Sequence, residues 1–399
     1  MKELLGVNFC GFPCENPFLL SSSCVSANYD MCARAFEMGW AGVVFKTIGR
    51  FEVEEPSPRF AMLRSTPNSL LGLKNLEQHW EAHPIEEDFE AIARLKRRYP
   101  EKLVVSSIIG VTPDEWTDMA RLSEQAGADM LELNFSCPHT SNKAQAGAAV
   151  GEDPDLVKAY CAAARRGTRL PMLAKMTANA THMEIPALAA LEGGADGIAA
   201  INTINCIIGV DLDTLVGAPD IQGLSAPGGY SGVGVRPIAM RFIQELASHP
   251  GLRGVPLSAT GGAETWRDCA EFLTMGAATV QVTTAVMHYG YRIIENLLSG
   301  LSCYLEEKGT TAEALIGAGL PYMVEPDDLT RGVNVYPVFR PDVCVGCGRC
   351  YLSCRDGGHQ ALAWDSRKRL PSVIPGKCAA CHLCTEVCPV GAIAVCQKP

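Results

Sequence analysis

The sequence predicts an α/β protein, an eight-stranded (β/α)8 TIM barrel followed by a C-terminal α+β domain rich in cysteine. Between residues 18 and 284, short apolar runs rich in β-branched residues alternate with amphipathic segments such as 114–125 and 238–247. That alternation is typical of a parallel sheet wrapped by helices. Eight such runs in about 270 residues fit the usual size of the barrel. The predicted strands are residues 18–22, 42–47, 103–108, 129–135, 172–177, 197–203, 256–260 and 279–284.

Length and composition indicate the domain organisation and exclude some partners. The 399 residues allow a large domain at 1–305, a linker at 306–334 and a small domain at 335–399. A net charge of −10 argues against a nucleic-acid partner. The N-terminus lacks the features of a signal peptide, and the apolar segment 197–210 is too short to span a membrane. We therefore expect a cytoplasmic protein whose 18 cysteines serve metal or redox chemistry rather than disulfides.

Almost every predicted strand ends in a polar residue. Because active sites of this fold lie at the carboxyl ends of the strands, these residues should meet at one mouth of the barrel. Polar residues also end many ordinary strands, but the presence of lysine and asparagine at several strand ends favours the convergent arrangement. The residues are Ser22, Lys46, Thr47, Ser107, Asn134, Lys175, Asn202, Thr203, Thr260, Thr283 and Thr284. Two long connections, 138–153 and 204–235, are expected to act as lids or binding loops.

The cysteine-rich tail carries the spacing C-x2-C-x2-C-x3-C twice. Three thiolates at this spacing wrap three corners of a [4Fe–4S] cubane, and the fourth cysteine reaches the other cluster. The predicted ligands are Cys344, Cys347, Cys350 and Cys388 for one cluster, and Cys378, Cys381, Cys384 and Cys354 for the other. Structural zinc is the alternative, but it normally uses separated cysteine pairs rather than triplets. The tail thus predicts a bacterial-ferredoxin-like 2[4Fe–4S] domain that exchanges single electrons with a partner.

Residue pairs after the last two strands predict a phosphate site. Gly261 and Gly262 follow strand seven, and Thr283 and Thr284 end strand eight, where such barrels commonly bind phosphate. Glycines expose backbone N–H groups to an anion, and a helix beginning at Glu264 would add its dipole. A glycine pair by itself is usually only a turn, so the prediction depends on its position in the fold.

Two lysines and one cysteine at strand ends are candidates for redox chemistry. Lys46 and Lys175 end strands two and five, and a buried ammonium needs an accompanying anion. A reduced flavin carries negative charge that either lysine would stabilise, while the alternative is a salt bridge to a barrel carboxylate. Cys137 follows strand four on a long loop and is a candidate proton donor. Free cysteine is more often an inert buried residue.

Asn75, Asn134, Asn202 and Thr203 form a candidate binding set for a ring with alternating N–H and C=O groups, such as a pyrimidine. An asparagine amide presents a donor and an acceptor side by side, which complements that pattern. Turn capping is the usual role of any single asparagine, and that alternative stays open for each of them.

These motifs resemble those of the PreA-type catalytic subunits of bacterial NAD-dependent dihydropyrimidine dehydrogenases, over nearly the whole chain. Dihydroorotate dehydrogenases share the barrel and a similar Asn/Ser/Cys loop but lack the ferredoxin tail. The matching segments include Lys46-Thr47, Gly72-Leu-Lys-Asn75, Asn134-Phe-Ser-Cys137-Pro138, Met172-Leu-Ala-Lys175-Met-Thr177, Gly229-Tyr-Ser-Gly232, Thr260-Gly-Gly262 and both cysteine motifs. The resemblance implies FMN contacts from Lys46, Lys175, Asn202, Thr203, Gly232, Gly262 and Thr284, and the predicted phosphate site adds Gly261 and Thr283 to the cofactor contacts. It implies that Asn75, Asn134, Asn202 and Thr203 hold the pyrimidine and that Cys137 is the general acid.

The reaction expected from this resemblance is reduction of the C5–C6 double bond of uracil or thymine. Hydride would pass from reduced FMN to C6 and a proton from Cys137 to C5. The chain has no G-x-G-x-x-G motif opening a βα unit, so we expect FAD and NAD(H) to bind a PreT-like partner subunit in a hetero-oligomer. Two alternatives stay open: a dihydroorotate dehydrogenase, and an electron-transfer module with a catalytically silent barrel.

Overall fold

The computed structural model describes residues 2–50, 55–66, 69–76, 84–135 and 148–397. The chain divides into two compact units, Met1–Met323 and Val324–Pro399. Among the helices of these described ranges, none combines the length and apolar character needed to cross a membrane.

Strands and helices follow one another along both units. The strands are β1 (Val7–Phe9), β2 (Phe12–Cys14), β3 (Phe18–Leu20), β4 (Gly42–Ile48), β5 (Phe60–Thr66), β6 (Ser69–Asn75), β7 (Leu103–Ile108), β8 (Met130–Asn134), β9 (Met172–Lys175), β10 (Gly197–Ala200), β11 (Ile204–Cys206), β12 (Gly228–Ser231), β13 (Leu257–Thr260), β14 (Thr279–Val282), β15 (Val335–Phe339), β16 (Leu362–Asp365), β17 (Leu370–Val373) and β18 (Ile393–Gln397). The helices are α1 (Lys2–Leu5), α2 (Tyr29–Met38), α3 (Ile85–Arg98), α4 (Pro113–Gln125), α5 (Ala148–Gly151), α6 (Pro154–Gly167), α7 (Glu184–Glu192), α8 (Arg236–Ser248), α9 (Trp266–Thr274), α10 (Thr284–Tyr289), α11 (Ile293–Lys308), α12 (Ala312–Leu315), α13 (Arg349–Gly357) and α14 (Leu383–Glu386).

A closed parallel barrel forms the first unit, and this confirms the predicted fold. Strands β3, β4, β7, β8, β9, β10, β13 and β14 follow one another around it in chain order, and β14 pairs with β3 to close it. Strands covered on both faces read as continuous apolar runs, since neither face meets water. The burial of every residue of β7 and β8 fits that rule.

A second, antiparallel sheet lies outside the barrel strands, and it was not predicted from the sequence. Its strand order is β11, β12, β6, β5. Strands β5 and β6 belong to the connection after the second barrel strand, whereas β11 and β12 belong to the connection after the sixth. The predicted binding loop 204–235 therefore contains two strands, and the pairing of β12 with β6 joins the two connections.

The segment predicted as a linker, 306–334, is partly packed onto the first unit. The N–H of Gly317 donates to the carbonyl of Leu273 at 2.8 Å, and the N–H of Gly319 donates to that of Thr274 at 2.9 Å. Both acceptors lie at the end of α9. Residues up to Met323 accordingly group with the barrel.

The second unit is built from two short antiparallel strand pairs and two helices. Strand β15 pairs with β18, and β16 pairs with β17. Its buried core consists of Cys350, Leu362, Cys384 and Ile393. Two of these four residues are predicted cluster ligands, so the apolar core is small for a folded domain.

Candidate active site and cluster-binding loops

Hydroxyl and amide groups from four strands meet at the carboxyl ends of the barrel strands. The Ser22 and Thr47 hydroxyls lie 3.1 Å apart, and those of Thr47 and Ser107 lie 3.0 Å apart. The Asn134 amide Nδ2 donates to Thr47 Oγ1 at 3.0 Å. Polar ends of β3, β4, β7 and β8 are therefore in contact, as the convergent arrangement requires.

Three of the four residues expected to bind the pyrimidine, Asn134, Asn202 and Thr203, lie next to one another, and the fourth, Asn75, is connected to them through Gly229. Asn202 Nδ2 donates to Asn134 Oδ1 at 3.5 Å, and the backbone N–H of Thr203 donates to Asn202 Oδ1 at 2.8 Å. Asn75 is in register with Gly229 in the antiparallel sheet. A Cβ added at Gly229 would lie 2.4 Å from Thr203 Oγ1, so Thr203 occupies the space against that glycine.

Asn179 connects the end of β9 to the segment that carries Asn202 and Thr203. The sequence did not identify it as a candidate site residue. Its Nδ2 donates to Thr177 Oγ1 at 3.0 Å and to the Thr203 carbonyl at 3.4 Å. Its Oδ1 accepts the N–H of Asn205 at 2.9 Å. One side chain thus ties the strand end at Thr177 to the segment that follows Asn202.

Lys74 joins the two connections that form the antiparallel sheet. Its side chain is buried, and Nζ donates to the carbonyl of Ala218 at 2.7 Å. Burial lowers the pKa of Lys74, and the negative charge of a Cys206 thiolate would oppose that change. The contact attaches the middle of the 204–235 connection to β6, beside Asn75.

The two predicted flavin lysines are both buried, at 9% exposure for Lys46 and 4% for Lys175. Lys175 forms an ion pair with Glu132, whose Oε1 accepts from Nζ at 2.9 Å. The alternative raised from the sequence, a salt bridge to a barrel carboxylate, is therefore present for Lys175. The ion pair does not test the predicted contact between Lys175 and a flavin, which stays a prediction.

Glycine backbones pack closely where the phosphate site is predicted. Gly262 has a φ of +81° and Gly232 a φ of +97°, which disfavour any side chain. A Cβ at Gly262 would lie 2.6 Å from the Gly232 carbonyl oxygen. Nearby, Thr284 Oγ1 donates to Ser231 Oγ at 2.9 Å. The loops after β12, β13 and β14 therefore meet at Gly232, Gly262 and Thr284, a group that we call the glycine cradle, where the close approach of the two glycine backbones leaves no room for a side chain.

The helix after this cradle differs from the sequence prediction. It begins at Trp266 rather than at Glu264, with Thr265 as its N-cap. The Asp268 carboxylate accepts the N–H groups of Glu264 at 3.0 Å and Thr265 at 2.8 Å. A capping box thus occupies these donors, so they are not available to a phosphate.

Gly261 and Thr283 line the same part of the barrel rim. Gly261 has a φ of +129°, and an added Cβ would lie 2.8 Å from Ala239 Cβ. The Thr283 hydroxyl accepts from Ser23 Oγ at 3.4 Å. Cys137, the predicted proton donor, lies outside the described residues.

One predicted set of cluster ligands lines a single cavity in the second unit. The cavity, about 360 Å³ with its solvent-open part included, is bordered by Cys354, Cys378, Cys381 and Cys384. Burial raises the pKa of the Cys384 thiol, and the charges of Cys381, Cys354 and Cys378 raise it further. Cys354 therefore faces the second triplet rather than its own, as the cluster spacing requires.

The two cysteine triplets share one backbone conformation. Gly346 and Gly348 of the first triplet have φ values of +65° and +72°, and the matching residues of the second, Ala380 and His382, both have +59°. The Cys354 thiol accepts the Ala361 N–H at 3.3 Å, and the Cys388 thiol accepts the Ala392 N–H at 3.2 Å. Such repetition fits two loops that wrap the same kind of cluster.

Comparison with known proteins agrees with this geometry. The family described as dihydroorotate dehydrogenase matches residues 4–305, and the family described as 4Fe-4S dicluster domain matches residues 338–395. The NAD-dependent dihydropyrimidine dehydrogenase subunit PreA of Escherichia coli (strain K12) is 52% identical over 98% of this chain and 94% of its own. The chloroplastic dihydropyrimidine dehydrogenase (NADP(+)) of Arabidopsis thaliana is 36% identical over 82% of this chain and 79% of its own.

A further relative is named as a dihydroorotate dehydrogenase. The catalytic subunit of dihydroorotate dehydrogenase B (NAD(+)) from Pyrococcus horikoshii is 35% identical over 80% of this chain and 99% of its own length. These similarities confirm the resemblance inferred from the motifs.

Proposed function

Because the chain belongs to the dihydroorotate dehydrogenase family and carries a 4Fe-4S dicluster domain, we propose that it is the catalytic subunit of a dihydropyrimidine dehydrogenase. Its reaction is the reduction of the C5–C6 double bond of uracil or thymine. The observation that carries this proposal is the contact of Asn134 with Asn202 and of Asn202 with Thr203 at the mouth of the barrel, with Asn75 paired to Gly229, against which Thr203 packs.

FMN fits the residues at this mouth. The cradle formed by Gly232, Gly262 and Thr284 would hold the phosphate, and the buried ammonium groups of Lys46 and Lys175 would face the ring. FMN, when bound, supplies the hydride for the substrate. The remaining cofactor contacts proposed from the sequence are Gly261, Thr283, Asn202 and Thr203.

The asparagine amides bind and orient the pyrimidine in this proposal. Each amide offers one donor and one acceptor to the alternating C=O and N–H groups of the ring. The contact between Asn134 and Asn202 fixes their relative orientation. Cys137 would protonate C5 as general acid, which requires a neutral thiol in the resting complex.

Electrons reach the barrel through the second unit in this proposal. Two [4Fe–4S] clusters pass electrons singly, so they suit transfer between two flavins. The first is held by Cys344, Cys347, Cys350 and Cys388, and the second by Cys378, Cys381, Cys384 and Cys354. A partner subunit with FAD would oxidise NADH and reduce the clusters, which makes the functional enzyme a hetero-oligomer.

Difference spectroscopy of the flavin tests the proposed binding site. The full chain, reconstituted anaerobically with FMN, iron and sulfide, is titrated with uracil, thymine and orotate while the oxidised flavin spectrum is recorded. We expect saturable changes with uracil or thymine, and a weakened change in an Asn134→Ala variant that retains FMN. A response to orotate alone would indicate a dihydroorotate dehydrogenase. The absence of any response would favour an electron-transfer module.

A further inference from the structure

A closed network of buried polar groups lies beneath the end of Lys175. The Lys175 ammonium donates to Glu132 Oε1 at 2.9 Å, to Ser21 Oγ at 3.3 Å and to Gln281 Oε1 at 3.4 Å. Gln281 Nε2 in turn donates to Glu132 Oε2 at 2.8 Å and to Ser258 Oγ at 3.1 Å. These five side chains come from β8, β9, β13, β14 and the end of β3, so the network spans the barrel interior.

Glu132 is the only carboxylate among the groups that contact Lys175 in the described part of the chain. Its side chain has no exposed surface, and that of Lys175 is 5% exposed. Burying such a pair is unfavourable relative to neutral side chains of similar shape, so stability of the fold does not explain its presence. Nor does the reaction proposed above assign Glu132 any role.

We propose that Glu132 is a positioning residue that holds the Lys175 ammonium at the floor of the flavin site and balances its charge, so that it lowers the reduction potential of the bound flavin. The inference rests on the proposed function, because it requires FMN at the barrel mouth. Three geometric facts support it: the direct ion pair, the amide of Gln281 that fixes the second carboxylate oxygen, and the register that places Lys175 beside Asn134.

The sign of the effect follows from the charges. Replacing Glu132 by glutamine removes a buried negative charge and leaves the Lys175 ammonium without its balancing partner. A reduced flavin is more negative than an oxidised one, so the unbalanced ammonium stabilises the reduced form. We expect Glu132→Gln to shift the equilibrium toward reduced flavin at least tenfold, which for a two-electron couple is a rise of about 30 mV.

An anaerobic redox titration followed at the flavin absorbance measures this shift in the FMN-loaded full chain. Glu132→Asp keeps the charge and should return the potential toward that of the wild type. The matched control is Asp129→Asn, which removes a carboxylate paired with Lys96 at 2.7 Å at the opposite end of the same strand. That variant should leave the flavin potential unchanged. Equal potentials in the wild type and Glu132→Gln would overturn the inference.

A second variant covers the case in which Glu132→Gln does not fold. The double variant Glu132→Gln/Lys175→Met removes both charges together and avoids a lone buried ion. Because Glu132 opposes the effect of the Lys175 ammonium, the double variant should have a higher flavin potential than Lys175→Met alone, and equal potentials in these two variants would overturn the inference. Failure of the wild-type chain to take up FMN would instead refute the proposed function, so the two failures are distinguishable.

Discussion

Replacing Gly262 by alanine tests whether the glycine cradle binds the FMN phosphate. The new Cβ would lie 2.6 Å from the Gly232 carbonyl oxygen, which is backbone and cannot rotate away. Left-handed backbone costs an alanine about 1–2 kcal/mol, and overpacking adds about 1–3 kcal/mol. We expect the variant to relieve this overlap in the free protein by separating the two loops, and a bound phosphate to oppose that separation. The overpacking cost of about 1–3 kcal/mol therefore opposes FMN binding, and we expect FMN affinity to fall about 5- to 150-fold.

Gly254→Ala is the matched control for this experiment. Gly254 has the same φ of +81°, but an added Cβ would have no atom within 4 Å. It precedes β13, whereas Gly262 follows that strand, so the control lies at the other end of the barrel. Thermal unfolding should show backbone strain in both variants, and fluorescence titration with FMN should show weakened binding only in Gly262→Ala. Equal FMN affinities in the two variants would refute the phosphate assignment.

Three further perturbations test other parts of the account. Asn179→Ala should raise KM for the pyrimidine and leave the FMN content of the protein nearly unchanged. The control Asn16→Ala loses backbone contacts at the amino end of β3 and should lower only the stability of the protein. Cys354→Ala should remove the cluster of the second triplet, seen as the loss of about half the iron and of one paramagnetic signal, while the exposed Cys303→Ala keeps both. Because burial lowers the pKa of Lys74, this side chain binds more protons in the unfolded chain below its ordinary value of about 10.4, so the contribution of Lys74 to the free energy of unfolding should rise with pH in that window. Denaturant unfolding at about pH 8 and about pH 10 should show the free energy of unfolding of the wild type rising relative to that of Lys74→Met, and an unchanged difference would contradict the reasoning.

The barrel was predictable because its strands carry a strong local signal. Residues buried on both faces produce largely apolar runs, and the predicted strand 103–108 matches β7 residue for residue. The meeting of the polar strand-end residues was also predictable, because a parallel barrel brings all carboxyl ends to one side. Cysteine spacing predicted that Cys354 belongs with the other triplet, since the fourth cysteine of this motif ligates the other cluster.

The antiparallel sheet was missed because its strands lack that signal. The side chains of β5 are exposed or only half-buried, and β12 begins with two glycines. Neither pattern distinguishes a strand from a loop. Pairing between segments more than 100 residues apart depends on tertiary structure. The sequence therefore made Asn75 a candidate for pyrimidine binding without showing that its strand pairs with β12.

Glu132 and Asn179 were missed for a related reason. A glutamate within an apolar strand has no sequence feature that names its partner, and only the closed barrel places it against Lys175. Asn179 follows β9 in a short polar turn that resembles any other turn. Its three contacts become visible only when the segment after β10 is in place.

A single-turnover experiment tests the central claim most directly. The full chain, loaded with FMN and clusters, is reduced anaerobically, freed of reductant and mixed with excess uracil or thymine, and the products are quantified by chromatography. Pyrimidine reduction at the barrel mouth predicts flavin reoxidation together with at least one 5,6-dihydropyrimidine per bound flavin. If the loaded protein were fully reduced and neither base yielded any dihydropyrimidine, the proposed reaction would be contradicted.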